Sequence, residues 1–198
     1  MNTKRTIVTY IIVAQAALTI LFFSWTAFAQ AAVPVYGGSA DQQRLVQLVC
    51  YWQYPMLAQI RETYPDFYVI INYGGRAWEG HVDVNIKRTG WAFSHYAAHE
   101  FCHEVQLASD NSGGNLGAAW LDKLREYGYT DEQWIWGYDS YWGTKRDPWE
   151  ALAENMRRAL FIDFSVSPTY PNTVLLWLQP SAMVEFLREN GIDVWEGR

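Results

Sequence analysis

Basic residues are in short supply in this chain: 15 Lys and Arg stand against 21 Asp and Glu over 198 residues, a formal charge of −6. A surface of that sign gives a phosphate backbone nothing to neutralise, so nucleic acid is not an expected partner. Cysteine is scarcer still, with only Cys50 and Cys102. Two thiols cannot build a disulfide scaffold; they allow one bridge in an oxidising compartment or two packed thiols. Internal repeats, low-complexity tracts and domain linkers are lacking as well. Half of the residues are apolar, enough for one domain with a sizeable core. Rings are plentiful, with 13 Tyr and 11 Trp. Their scatter along the chain points to core packing more than to a sugar-stacking or peptide-binding groove.

A long apolar run occurs once, at the N-terminus. Lys4 and Arg5 precede a nearly uncharged stretch from Thr6 to Ala29, closing in Ala27-Phe28-Ala29 and Ala29-Gln30-Ala31. A basic start, an apolar middle and small residues at the end are the features of a secretory signal. The run is also long enough, at roughly 20 residues, to cross a bilayer as an uncleaved anchor. Residues 1–31 are therefore read as a signal peptide or N-terminal membrane anchor, and residues 32–198 as one secreted or extracytoplasmic domain. That domain is monomeric and meets a membrane only if the anchor is retained. Without the first 31 residues, 13 basic groups face 21 acidic ones, a net of −8.

Along residues 32–198 the periodicities alternate between helix and strand. After a lead-in from Pro34 to Gly38, Ser39 offers an N-cap, and Leu45, Val46, Val49, Trp52, Met56, Leu57 and Ile60 recur at helical spacing, predicting a long helix kinked before Pro55. Phe67–Tyr73 is β-branched and aromatic between Pro65-Asp66 and Gly74-Gly75, which predicts a strand. In His81–Lys87, Val82, Val84 and Ile86 alternate with polar residues, as in a half-buried, edge-type strand. Helical patterns follow over Trp91–Leu107 and Leu116–Tyr127, with a short one opening at Thr130 and a Tyr- and Gly-containing loop from Gly137 to Arg146. Asp147 before Pro148 starts another helix, with Ala151, Leu152, Met156, Ala159 and Leu160 as its apolar face. A last helix runs from about Ser181 to Asn190. The expected fold is α+β, a small twisted sheet packed on a helix with further helices, in a single domain.

The chemistry is concentrated in His99-Glu100-Phe101-Cys102-His103. On a helix, residues four apart share a face, so both imidazoles can reach one Zn2+. Glu100 stands beside that face as the general base for water. Cys102 points away from it and is assigned to packing or a disulfide. A catalytic zinc needs a third protein ligand. In Asp147-Pro148-Trp149-Glu150, followed by Glu154, the two glutamates share one helical face, so Glu150 can bind metal while Glu154 hydrogen-bonds the far nitrogen of a ligating histidine. The alternative is a solvated face beside Arg157 and Arg158. Asp122 and Glu126, 19 and 23 positions after His103, compete for the third ligand at a thermolysin-type spacing. Gln106 and Ser109 stand where a metzincin would need Gly and His.

This succession, the two-histidine motif, a Tyr-containing loop and then Glu150-x-x-x-Glu154, resembles the gluzincin-like zinc peptidases of the anthrax lethal factor type over roughly residues 81–165. The resemblance implies Glu150 as the third zinc ligand and an upstream tyrosine, Tyr141 with Tyr138 as the alternative, as the oxyanion donor. It further implies a zincin-like domain whose small sheet packs on the metal-bearing helix, and an exported metallopeptidase acting on peptide or protein substrates, with the strand His81–Lys87 pairing with an extended substrate. Two other functions remain open: a non-catalytic, zinc-holding binding module, and a zinc amidase acting on cell-wall peptides.

Overall fold

The computed structural model describes residues 32–128, 130, 148–161 and 179–195. The predicted signal or anchor, the Thr130 helix beyond its first residue, the Asp147 cap, and both Tyr138 and Tyr141 lie outside the described residues. Among the described residues the fold is mixed α+β, with six helices and a four-stranded sheet. Val33–Arg198 forms one unit by its internal contacts. No helix in the described part is long and apolar enough to cross a membrane.

The first strand, β1 (Val35–Gly37), leads into helix α1 (Ala40–Trp52). Ser39 caps α1 reciprocally: its Oγ accepts the Gln42 N–H at 3.3 Å, and Gln42 Oε1 accepts the Ser39 N–H at 2.9 Å. This satisfies two helix-end donors at once. Gln42 Nε2 then donates to the carbonyls of Ile86 and Arg88, tying the start of α1 to the chain after the sheet. The kink anticipated at Pro55 is a full break. Helix α2 (Tyr54–Thr63) starts anew after Gln53, with Pro55 in its first turn. The broken backbone is held by buried Gln53, whose Nε2 donates to the carbonyls of Leu160 and Trp195.

Strands β2 (Tyr68–Asn72), β3 (Arg76–Trp78) and β4 (His81–Asn85) complete a sheet of order β1-β2-β4-β3. β1 and β2 are parallel, as are β2 and β4, while β3 runs antiparallel to β4. Two expectations need correction. The lead-in Pro34–Gly38 contains a strand, and the His81 strand is interior, with β2 on one side and β3 on the other. Alternation of apolar and polar residues reports that one sheet face is covered, not that one edge is free. The covered face carries Val69, Ile71, Val82 and Val84, all buried.

That face lies against α3 (Gly90–Asn111), the 22-residue helix at the centre of the unit. α3 also touches α1, α2, α4 (Leu116–Glu126) and α5 (Pro148–Leu160). Helix α6 (Pro180–Glu189) packs on the far side of α5. Surrounded in this way, α3 buries polar as well as apolar side chains, among them Ser94, His95, His99, Glu100, Glu104 and Gln106. A buried polar group needs a partner or it costs free energy, so the polar stripe of α3 is where function is to be sought. The disulfide left open by the sequence is absent: Cys50 and Cys102 are both free and buried. Burial pushes the Cys50 thiol up to about 12, and the Cys102 thiol is raised for the same reason.

Candidate metal centre

Helix α3 presents His99 and His103 one turn apart, and α5 lies along it so that Glu150 and Glu154 meet them. His99 Nε2 is 3.2 Å from His103 Nε2 and 3.0 Å from Glu150 Oε2, and His103 Nε2 is 3.5 Å from Glu150 Oε1. The two rings stand nearly perpendicular, at 86°. Ligands bound at about 2.0–2.1 Å in a tetrahedral zinc site lie about 3.3–3.4 Å from one another. The two histidines meet different oxygens of Glu150; taking one ligand atom from each residue, the three atoms lie within 4.8 Å of one another, and the group could hold a metal ion.

The opposite end of His99 decides which way its lone pair points. His99 Nδ1 is 3.2 Å from Glu154 Oε2, and a carboxylate can only accept, so Nδ1 carries the proton. In the neutral ring this leaves Nε2 as an acceptor facing the Glu150 carboxylate and the second imidazole. Acceptors aimed at one another require a cation between them, either a proton or a metal ion. With only a proton there, burial opposes a charged His99 ring, yet the bonds to Glu150 and Glu154 outweigh it and raise His99 to about 10. Glu150 is likewise raised by burial but carried well below the usual carboxylate range by its bonds to His103 and His99.

Glu154 is wholly buried, against the solvated-face alternative, and so is Arg157; only Arg158 is exposed. Arg157 grips Glu154 with both arms of its guanidinium, Nε to Oε2 at 2.9 Å and Nη2 to Oε1 at 2.7 Å. Burial alone would raise Glu154, but the bonds from Arg157 and His99 bring it down to about 2. Glu100 is also buried. Burial raises its carboxyl, with His99 and His103 pulling the other way and a hydrogen bond from Tyr96 helping them. Glu100 thus feels both histidines and Glu150 without joining the three-ligand group.

Two contacts fix the first turn of α5 against α4. Trp120, fully buried on α4, donates its indole N–H to the Pro148 carbonyl at 2.7 Å, pinning the first turn of α5 two residues before Glu150. The Trp149 ring lies over Gly117, where a Cβ would collide with it. The rival third ligands go elsewhere: Asp122 and Glu126 are exposed on α4, paired with Arg125 and Lys123. Tyr96, four residues before Glu100, was missed in the sequence, although its helical-neighbour spacing could have drawn notice; Arg157, three after Glu154, entered there only as part of a solvated face. The Tyr96 hydroxyl also abuts Gly75, just before β3, so closely that a Cβ at Gly75 would overlap it.

Compared with known proteins, the chain matches no family model, no curated protein and no solved structure.

Proposed function

We propose that the chain is an exported, zinc-dependent metallopeptidase with a zincin-like domain. The observation that carries this reading is the convergence of His99, His103 and the Glu150 carboxylate, whose ligand atoms lie close enough together to hold one metal ion. Two imidazoles and one carboxylate suit zinc in ligand type, and three protein ligands leave a fourth position open, as catalytic rather than structural sites do. Zinc held there supplies Lewis acidity and makes water acidic enough to react near neutral pH.

The chain's own groups do the rest. Glu100, adjacent to the ligands and with its proton affinity raised by burial, takes the proton of the attacking water and returns it to the leaving amine. Tyr96 holds Glu100 by its hydrogen bond, and Glu154 holds His99 in the tautomer that leaves Nε2 free. Tyr141 or Tyr138 is the oxyanion donor in this reading. A general base is superfluous in a module that merely stores zinc, so Glu100 favours catalysis over that alternative.

The His81–Lys87 strand expected to pair with substrate is interior; of the two edge strands, β1 and β3, it is β3 that packs beside α3, and an exposed strand edge of this kind can recognise the backbone of an extended peptide. Near that edge Tyr68 stacks on His81 at 5.0 Å and 3°, Trp78 on His81 at 6.1 Å and 13°, and Arg76 covers Trp78 at 4.8 Å. An amidase acting on wall peptides is the nearest relative of this reading. The test is cleavage of a mixed peptide library by the zinc-loaded protein, with Glu100→Gln alongside. The expected outcome is turnover by the wild type, loss of at least 100-fold in the variant, and equal zinc content in both. Equal turnover by the two proteins would refute the role of Glu100.

A further inference from the structure

Arg157 is the one buried basic side chain among the described residues, and it sits at the end of a chain of contacts that leads to the metal centre. Its two N–H arms hold both oxygens of Glu154, at 2.9 and 2.7 Å, and the oxygen shared with Nε is the one that accepts His99 Nδ1–H at 3.2 Å. Both members of the pair are removed from water, at 1% and 0% side-chain exposure. A forked contact of this kind fixes the plane of the carboxylate as well as its distance, which a lysine cannot do. Because the histidine ring bonds to that carboxylate, the plane in turn sets the direction of the His99 Nε2 lone pair.

The ion pair also supplies the Glu154 carboxylate with a cation inside the fold. Removing Arg157 would leave a buried carboxylate with no countercharge beside the ligand it orients.

Resting on the reading of His99, His103 and Glu150 as a metal centre, we propose that Arg157 is a positioning residue of that centre, setting its affinity and geometry for a divalent metal by locking Glu154 against His99. In this scheme Arg157 acts on the ligands through Glu154. A mere packing role would leave the metal's coordination unchanged once the fold is intact.

The experiment is a double-mutant cycle on metal binding in the full chain. Wild type, Arg157→Lys, Glu154→Gln, Arg157→Met and the Glu154→Gln/Arg157→Met pair are titrated with Zn2+ against a chromophoric chelator, and with Co2+ by visible absorption. Circular dichroism verifies the fold of each. The expected result is a Zn2+ affinity about tenfold or more weaker in Arg157→Lys, within the range typical of residues that orient metal ligands, with an altered Co2+ spectrum. Adding Arg157→Met to Glu154→Gln should change the affinity by less than about twofold, because the path is already cut. The double variant removes both charges of the buried pair, so where a single variant fails to fold it is compared with wild type directly, and a wild-type affinity and spectrum there would overturn the proposal. Wild-type affinity and spectrum in a folded Arg157→Lys, or independent losses from Glu154 and Arg157, would overturn the proposal while leaving the metal centre intact. Absence of Zn2+ and Co2+ binding in the wild type would overturn the metal centre itself, and with it this role.

Discussion

Glu104 stores a pH-dependent cost that one substitution should expose. It sits on α3 with no exposed surface; its Oε1 accepts the Gly80 N–H of the β3–β4 turn at 2.8 Å, and its Oε2 is buried with no partner among the described residues. Burial raises its carboxyl from 4.5 to about 8, the Gly80 bond opposing and Glu79 adding to the effect. The sign follows from linkage. Below 4.5 both the folded and the unfolded carboxyl are protonated and nothing is lost. Between 4.5 and 8 the unfolded chain releases its proton while the folded one retains it, so stability falls by about 1.4 kcal/mol per pH unit, reaching roughly 3–5 kcal/mol above pH 8. Glu104→Gln keeps an oxygen for Gly80 and cannot ionise, and like the protonated carboxyl of the wild type at low pH it carries a buried donor at the Oε2 position, so there the two proteins differ by about 1 kcal/mol at most. Urea unfolding at intervals from pH 5 to 9, with metal removed by a chelator so that ligand binding does not contribute, should give curves that lie close together at pH 5 and separate as the pH rises, the variant being the more stable by pH 9. A constant offset between the two proteins would refute this account of Glu104.

Two further outcomes test the surroundings of the site. Gly75→Ala places a Cβ where the Tyr96 hydroxyl lies and should displace the partner of Glu100. We expect turnover to fall on the order of 10- to 100-fold at unchanged Zn2+ affinity, measured by steady-state kinetics and chelator competition; a matching loss of metal would contradict it. Cys50 and Cys102 are buried with raised proton affinity, so a thiol-reactive chromogen should count no thiols in the native protein and two in denaturant. Two thiols titrating in the native state would show that the core is open.

The helical elements were legible because their signals are local. Ser39 and Gln42 carry a cap in four residues, and His99, His103, Glu150 and Glu154 lie at spacings that one helical turn converts into neighbours. The two short strands were not. Val35–Gly37 and Arg76–Trp78 are three residues each, too short to display alternation, and both exist because longer strands offer them hydrogen-bonding edges. The placement of His81–Asn85 at an edge failed for a related reason, since its pattern records the covered face and is silent about neighbours. Arg157 illustrates the remaining limit. Three residues after a glutamate, it has the spacing of an exposed helical ion pair, and only the packing of α5 against its neighbours takes both charges out of water. Tyr96 likewise has no motif; its role arises from the approach of Gly75 and Glu100 in space.

Stoichiometric zinc binding tests the central claim most directly. Wild type and His103→Ala, both stripped of metal, would be titrated with Zn2+ against a competing chromophoric chelator. The account predicts one tightly held ion per wild-type chain, with affinity lost by several orders of magnitude when His103 is removed. Failure of the wild type to compete for zinc, or equal binding by the variant, would contradict it.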